Sequence, residues 1–356
     1  MTTINITYEG KNISRNIAPF LLSFAFTDNS DGAADDLTLQ LHDKAALWVN
    51  SWMPTKGDKI QCSIVSEKYT LPCGKFEVDQ IEYSAPPRVL SLKAISTAIT
   101  RTLRSEKHNH SWENVKLSEI AADIAANGNV KLFYDADDYT LERREQSGQS
   151  DLEFLKSICS DYGLNVKVND DKLIIYDAEQ YEDKSSVTEL NINDAGLISF
   201  KFTSKSAQTY KSARLKYHHP KKAQTYDVSE FDDDIEGSEQ VLELNEYAES
   251  ESDARKIAQK KLHKANSREI TGNITLKGDT RLLAGVNISL DGFGLFSGKY
   301  FITKATHTVN NSGYITTLEL SQGAKSKQKA KQRKKSKQAK GGTMLYYEGD
   351  KYYRTE

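Results

Sequence analysis

The side chains able to do chemistry in this 356-residue chain are scattered rather than gathered. His218-His219 sets two imidazoles side by side, but neighbours on a strand face opposite sides, so the pair cannot close on one metal ion. A strand end exposed ahead of Pro220 is the simpler reading. His307 falls in an alternating strand, where a hydrogen-bonded structural imidazole is expected. Asp232-Asp233-Asp234 and Asp135-Ala136-Asp137-Asp138 offer oxygens to Ca²⁺. They lack the twelve-residue loop grammar of an EF-hand and read as solvated turns. Cys62, Cys73 and Cys159 show no CxxC spacing, which predicts neither a disulfide framework nor a zinc site. Cys62 and Cys73 lie in or beside strands and read as small core residues. GxSxG, HExxH, P-loop and dinucleotide patterns are all missing. The expectation is no catalytic residue, no metal and no cofactor.

The clearest chemical signal is electrostatic. Residues 325–340 carry nine Lys or Arg, with Lys334 and Lys335 near the centre, and no acid. Setting aside this strap and the residues after it leaves 37 bases against 47 acids, so a body of about −10 ends in a +9 segment. Such a strap could hold a polyanion in a salt-dependent way, or dock on an acidic protein surface, its own or a neighbour's. Aromatic interleaving, which single-strand binding favours, is missing within it. Past Gly341-Gly342, Tyr346-Tyr347 and Tyr352-Tyr353 flank Glu348-Gly349-Asp350-Lys351 and predict a two-strand hairpin. So small a hairpin orders only against a partner, and exposed aromatic clusters tend to mark binding sites.

Several elements must position these groups. Residues 1–100 read as all β: Glu9-Gly10 is a hairpin turn, and Leu22 to Phe26 and Leu37 to Leu41 alternate. From about Thr100 the period turns helical, with Leu117, Ile120, Ala121, Ile124 and Ala125 on one face, and Asn127-Gly128 as the stop. Ser150 to Glu153 is a capping box for a second helix that ends at Gly163, and a hairpin from Leu164 to Tyr176 follows. A second β module begins near Leu190. A helix at about 253–265 is expected to lie beside this module rather than in a separate domain, because strands resume within a few residues. At 38% hydrophobic, the chain can bury ordinary cores. No apolar run approaches the roughly 20 residues that span a bilayer. The start, Met1 to Asn5, lacks the basic and apolar regions of a signal peptide, so a cytosolic chain without membrane insertion is expected.

One β pattern occurs twice, about 220 residues apart. Gly57-Asp58-Lys59-Ile60 opens one strand and Gly74-Lys75-Phe76-Glu77-Val78 the next. Later, Gly285-Val286-Asn287-Ile288 and Gly298-Lys299-Tyr300-Phe301-Ile302 do the same. Phe76, Val78 and Tyr83 fall where Tyr300, Ile302 and His307 fall. A duplicated module suggests an assembly role.

The ordered features resemble the phage late control D family, the baseplate hub proteins of contractile phage tails and tail-like bacteriocins. The resemblance spans most of residues 20–322. It rests on Asp35 to Leu39, Gly74 to Asp79, Ser111-Trp112 through Ala121, Gln146 to Leu155 with Tyr162-Gly163-Leu164, and Ser252-Asp253-Ala254 with Ala258. Gly278-Asp279-Thr280, Ala284-Gly285, Gly292-Phe293 and Gly298-Lys299-Tyr300 complete it. The strap and its tyrosine-rich end have no place in the family pattern.

The resemblance implies a mainly β chain with an α/β insertion. Its parts would be a tube-like barrel at 1–100, the insertion at 101–185 and a second barrel at 186–322, while the basic, tyrosine-rich tail at 323–356 is read from the chain's own composition. It further implies a non-enzymatic homotrimer, similar to the base of the type VI secretion spike, whose six barrels adapt a hexameric tail tube to a trimeric central spike. Tape measure protein and DNA would pass through its lumen without specific binding, and other baseplate proteins would surround it. It would be assembled in the host cytoplasm and reside in the tail baseplate. Candidate contacts are Lys59, Ile60, Gln61, Asn287, Ile288 and Ser289 at chain-to-chain edges or barrel faces, Trp112 and Phe154 on the insertion, Lys334 and Lys335, and the four terminal tyrosines. Trp112 and Phe154 read equally as local core. Two other classes stay open: a wall-degrading tail enzyme, and a polyanion-binding module working through the strap.

Overall fold

Alternation of apolar and polar residues builds the first module. The computed structural model describes residues 2–322 apart from 45, 68, 97–100, 170–171, 206–208, 220–221, 234 and 236–237, together with 345–348 and 351–354. The first strands are β1 (Thr3–Tyr8), β2 (Lys11–Asn12), β3 (Leu21–Asn29), β4 (Asp36–His42), β5 (Lys59–Val65), β6 (Thr70–Ser84) and β7 (Val89–Ser96). They hydrogen bond in the order β3-β4-β7-β6-β5-β1-β2. Glu9 and Gly10 take positive φ, 44° and 77°, the twist that a two-residue turn between β1 and β2 demands. Alternate residues, among them Phe24, Phe26, Leu39, Ile60, Ile64, Phe76, Val78 and Leu92, are buried in one cluster that also holds Ile6. Strands from both ends of the order share a core only when the sheet curls on itself, so the module is barrel-like.

The middle unit holds β8 (Lys107–Lys116), β9 (Lys131–Asp135), β10 (Thr140–Ser150), β11 (Asn165–Asn169) and β12 (Lys172–Tyr176), with helices Leu117–Asn127 and Asp151–Asp161. The capping box forms: Ser150 Oγ accepts from Glu153 N at 3.4 Å, and Glu153 Oε2 accepts from Ser150 N at 3.1 Å. The helices bury Ile120, Ile124, Leu155 and Ile158 against β10 and the β9/β11/β12 sheet.

The remaining strands are β13 (Ser186–Asn191), β14 (Leu197–Ser204), β15 (Ser212–His219), β16 (Gln224–Phe231), β17 (Val241–Leu244), β18 (Ile270–Lys277), β19 (Asn287–Asp291), β20 (Gly298–Asn310) and β21 (Gly313–Gln322). The second module runs β14-β18-β21-β20, with β19 and then β13 beside the first part of β20. Its core gathers Ile274, Ile288, Tyr300, Ile302 and Leu318.

The duplication extends to individual bonds. Ile60 pairs Phe76 and Cys62 pairs Gly74; correspondingly, Ile288 pairs Tyr300 and Leu290 pairs Gly298. A bulge falls between Val78 and Gln80 in β6 and between Ile302 and Lys304 in β20. Gly57 and Gly285 both sit at φ 94°, and each donates its N–H at 2.9 Å, to Val78 O and to Ile302 O. A further repeat, Leu21-Leu22-Ser23-Phe24-Ala25-Phe26-Thr27 against Leu197-Ile198-Ser199-Phe200-Lys201-Phe202-Thr203, makes β14 the counterpart of β3. Their ladders match, down to the bulge after Leu21 and after Leu197.

Two expectations need correction. The helix Glu251–Asn266 does not lie beside the second module. Its Ala254, Ile257, Ala258 and Leu262 join Ala213, Leu215 and Val228 in the core of the middle unit. The chain leaves the second module after Ser204 and returns at Ile270, so nearness in sequence misleads, and the middle unit is discontinuous rather than confined to 101–185. The two modules are joined: β20 pairs with β3, and one 13-stranded sheet carries both cores. Near the end of the chain, β22 (Leu345–Glu348) and β23 (Lys351–Arg354) form the expected hairpin, Tyr346 opposite Tyr353 and Tyr347 opposite Tyr352. The strap with Lys334 and Lys335 lies outside the described residues. Among the described residues, no helix is long and apolar enough to cross a membrane.

Candidate functional site

The joint between the modules brings together residues far apart in the chain. One strand serves both cores: residues 298–301 of β20 pair with β19, and, past the bulge at Thr303, residues 304–310 pair with β3 from Asn29 back to Ser23. A bulge re-aims a strand, which is how one strand turns from one core to the other. Ser30 N donates to Thr303 O at 3.0 Å. Asp28, only 3% exposed, accepts from Ala284 N at 2.8 Å and from the Lys167 ammonium of β11, so one carboxylate ties the first module to the second and to the middle unit. Asp35 lies beside it, and burial, then the Asp28 charge, push its carboxyl up to about 8. At neutral pH, a protonated Asp35 leaves one carboxylate facing one ammonium.

His307 is the other polar anchor of the joint. Its Nε2 donates to Leu282 O at 2.9 Å and its Nδ1 accepts from the Tyr314 hydroxyl at 2.7 Å, while the ring stacks on Phe26 across the ladder at 6.1 Å. A carbonyl can only accept, which fixes the tautomer. Burial pulls the imidazole down to about 4. The unfolded chain protonates near 6.5, so stability falls as pH drops through 6.5 towards 4, by up to about 3 kcal/mol. Urea unfolding midpoints for the wild type and His307→Gln across that range test this: the wild-type curve is expected to fall more steeply on the acid side.

The predicted edge residues are not edges. Lys59, Ile60 and Gln61 lie in β5, flanked by β1 and β6; Asn287, Ile288 and Ser289 lie in β19, flanked by β13 and β20. Both strands therefore have their ladder bonds filled within the chain. Ile60 and Ile288 are core, and Asn287 Nδ2 donates to Tyr181 O and Lys184 O at 2.7 and 3.0 Å. Ser289 Oγ meets Ser186 Oγ at 2.8 Å. Trp112 and Phe154 are buried and stack on each other at 5.2 Å and 10°, with Trp112 Nε1 donating to Asp123 at 3.1 Å, so both are spent inside the middle unit.

The histidine pair splits as strand geometry requires. His218 is exposed beside Thr225. His219 is buried, with Nε2 at 3.7 Å from Glu142 and 3.5 Å from Glu249. This donor set suits a divalent cation, yet the cation held there is the Lys222 ammonium, 3.3 Å from Glu142 and 3.4 Å from Glu249. The cluster ties β10, β15 and residue 249 together, which helps to fix the segment from 212 to 266 in the middle unit. Glu142 and Glu249 carried no motif in the sequence. A cleft of about 270 Å³ between the modules and the middle unit is lined by paired polar groups, among them Lys260 with Asp177 at 3.2 Å and His263 with Glu182 at 2.9 Å.

Two fused β modules around a bifunctional strand, locked to an α/β unit by one buried ion pair, define a duplicated assembly protein. The model of the phage tail baseplate hub (GPD) family matches residues 90–313, more than half of the chain, and the chain belongs to that family. The "Probable baseplate hub protein" of Escherichia phage P2 is 25% identical over 355 residues, 88% of this chain and 91% of that one. The crystal structure of the 43 kDa tail protein of prophage MuSo2 from Shewanella oneidensis aligns with a TM-score of 0.68 at 12% identity, covering 90% of this chain and 98% of that one. The E. coli c3393 protein, described as a type VI secretion component structurally similar to the T4 tail proteins gp27 and gp5, aligns with a TM-score of 0.54 at 11% identity over 85% and 73%. The role is structural, that of a hub in a phage tail baseplate.

Proposed function

We propose that three copies of this chain close a ring in which six β modules present near-sixfold symmetry to a hexameric tail tube, while the threefold arrangement of chains receives a trimeric central spike. The observation that carries this reading is the duplication, two modules sharing ladder register, bulge positions and glycine turns. Two equivalent modules per chain multiply a threefold assembly into six equivalent surfaces. The likeness of c3393 to tail proteins supports the same reading. In it, the tape measure protein and DNA pass through the lumen, other baseplate proteins bind the outside, and assembly takes place in the host cytoplasm. The strap and the terminal tyrosines act as a tether, and the chain has no catalytic task.

Light scattering after size exclusion of the full chain, co-expressed with the spike of its own particle, tests this. The expected mass is that of three hub and three spike chains. A hub that stays monomeric beside the spike would overturn it.

A further inference from the structure

Each module contributes one strand to the joint within the chain, and each has a counterpart of the other's contribution left over. The joint joins β3 of the first module to the outer part of β20 of the second. The counterpart of β3 is β14, which ends the sheet and pairs only with β18. The counterpart of the outer part of β20 is Gln80 to Ser84 of β6, which pairs with β7 on one side, while β5 stops opposite Glu77 on the other. Among the described residues, both edges lack a ladder partner.

Burial shows the same vacancy. In the joint, Phe24 is 0% exposed and Phe26 3%, while Ala305 and His307 are fully buried. Their counterparts are uncovered: Phe200 is 45% exposed and Ile198 beside it 60%, and Phe202, Ile81 and Tyr83 are half-buried. The charges are complementary. Exposed Glu82 stands on the uncovered β6 edge, past Asp79, which pairs with Arg104 at 3.3 Å, and exposed Lys201 and Lys205 stand on the β14 edge.

We propose that Lys201–Lys205, the last part of β14 and the residue after it, of one chain adds as an antiparallel strand to Gln80–Ser84 of the next, repeating between chains the joint seen within each. The inference rests on the ring proposed above and specifies its contact. Carrying the register of the internal joint across sets Gln80 opposite Lys205, Glu82 opposite Thr203, Tyr83 opposite Phe202 and Ser84 opposite Lys201. Glu82 then lies diagonally between the two lysines, within reach of both. Pro86 and Pro87, which offer no N–H, end this ladder sooner than the internal one. The contact is head to tail rather than two-fold, the kind of contact a ring requires and which closes when its rotation is a third of a turn. An uncovered apolar edge is otherwise a liability for uncontrolled pairing, and filling it with the next chain removes that liability.

Directly opposed residues sit about 4.5–5.5 Å apart at Cα, inside disulfide range. The test is therefore oxidative cross-linking of the full chain carrying Glu82→Cys and Thr203→Cys, co-expressed with its spike and run on a non-reducing denaturing gel. The native cysteines are all buried and do not compete. The expected result is loss of the single-chain band to two- and three-chain species that reductant reverses. A mixture of the two single variants should stop at two chains. The out-of-register pair Glu82→Cys with Ser204→Cys should not link, since one step along a strand turns the side chain to the other face. The internal pair Thr27→Cys with Thr306→Cys should link within one chain. A three-chain particle by light scattering in which the Glu82/Thr203 pair stays unlinked, or links no better than the shifted pair, would overturn this joint and leave the ring standing. A monomer beside the spike would overturn both.

Discussion

Lys167→Met is expected to lower the stability of the full chain by about 3–5 kcal/mol at neutral pH, since it strands a buried carboxylate that has lost its cation. Lys167 and Asp28 side chains are 11% and 4% exposed, so water cannot take over the role of the missing partner. Asp28 also accepts from Ala284 N, so the loss reaches three bodies at once: the first module, the second, and β11 of the middle unit. The double variant Asp28→Asn/Lys167→Met removes both charges and should recover much of the loss. Asp35 adds a pH signature. Its carboxyl, raised to about 8 by burial and by Asp28, stays protonated in the folded chain where the unfolded chain has released its proton. Stability contributed this way is present at acid pH and declines as pH rises from about 4 through 8. Urea unfolding curves, read together with hydrogen exchange of β3 and β11, measure both effects. A Lys167→Met protein as stable as the wild type would remove the ion pair as the lock between the units.

The second large effect belongs to Phe154→Ala, also expected at about 3–5 kcal/mol. Phe154 stacks flat on Trp112 inside the middle core, and the alanine leaves a cavity against Trp112 and its neighbours. A core role and an interface role predict different outcomes. Loss of core packing lowers the unfolding midpoint of the isolated chain and shifts the Trp112 fluorescence, whereas loss of an interface anchor would leave the midpoint unchanged and weaken association alone. The expected result is the first. Phe154→Leu, which refills most of the volume, should be milder.

Much of the local structure was legible in the chain. The Glu9-Gly10 turn, the Ser150/Glu153 cap, the helix stopped at Asn127-Gly128 and the β22/β23 hairpin follow from near-neighbour chemistry. The duplicated β5/β6 and β19/β20 pattern was also visible, because register follows from alternation and glycine turns. The second half of the repeat, the Leu-x-Ser-Phe-x-Phe-Thr segment of β3 and β14, was equally present and is the signal that points to the paired joint.

By itself, then, the sequence determined the elements, their order, the duplication and the resemblance to baseplate hubs, because these depend on periodicity, capping and turn residues within a few positions of one another. Long-range packing is what puts Glu251–Asn266 in the middle core, makes β5 and β19 interior strands, sets Trp112 against Phe154 and lets β20 serve both modules. Those outcomes depend on which apolar faces and ladder edges meet across more than a hundred residues. Alternation tells which face of a strand is apolar but not which partner covers it, and a ladder edge is filled through backbone groups that every sequence shares.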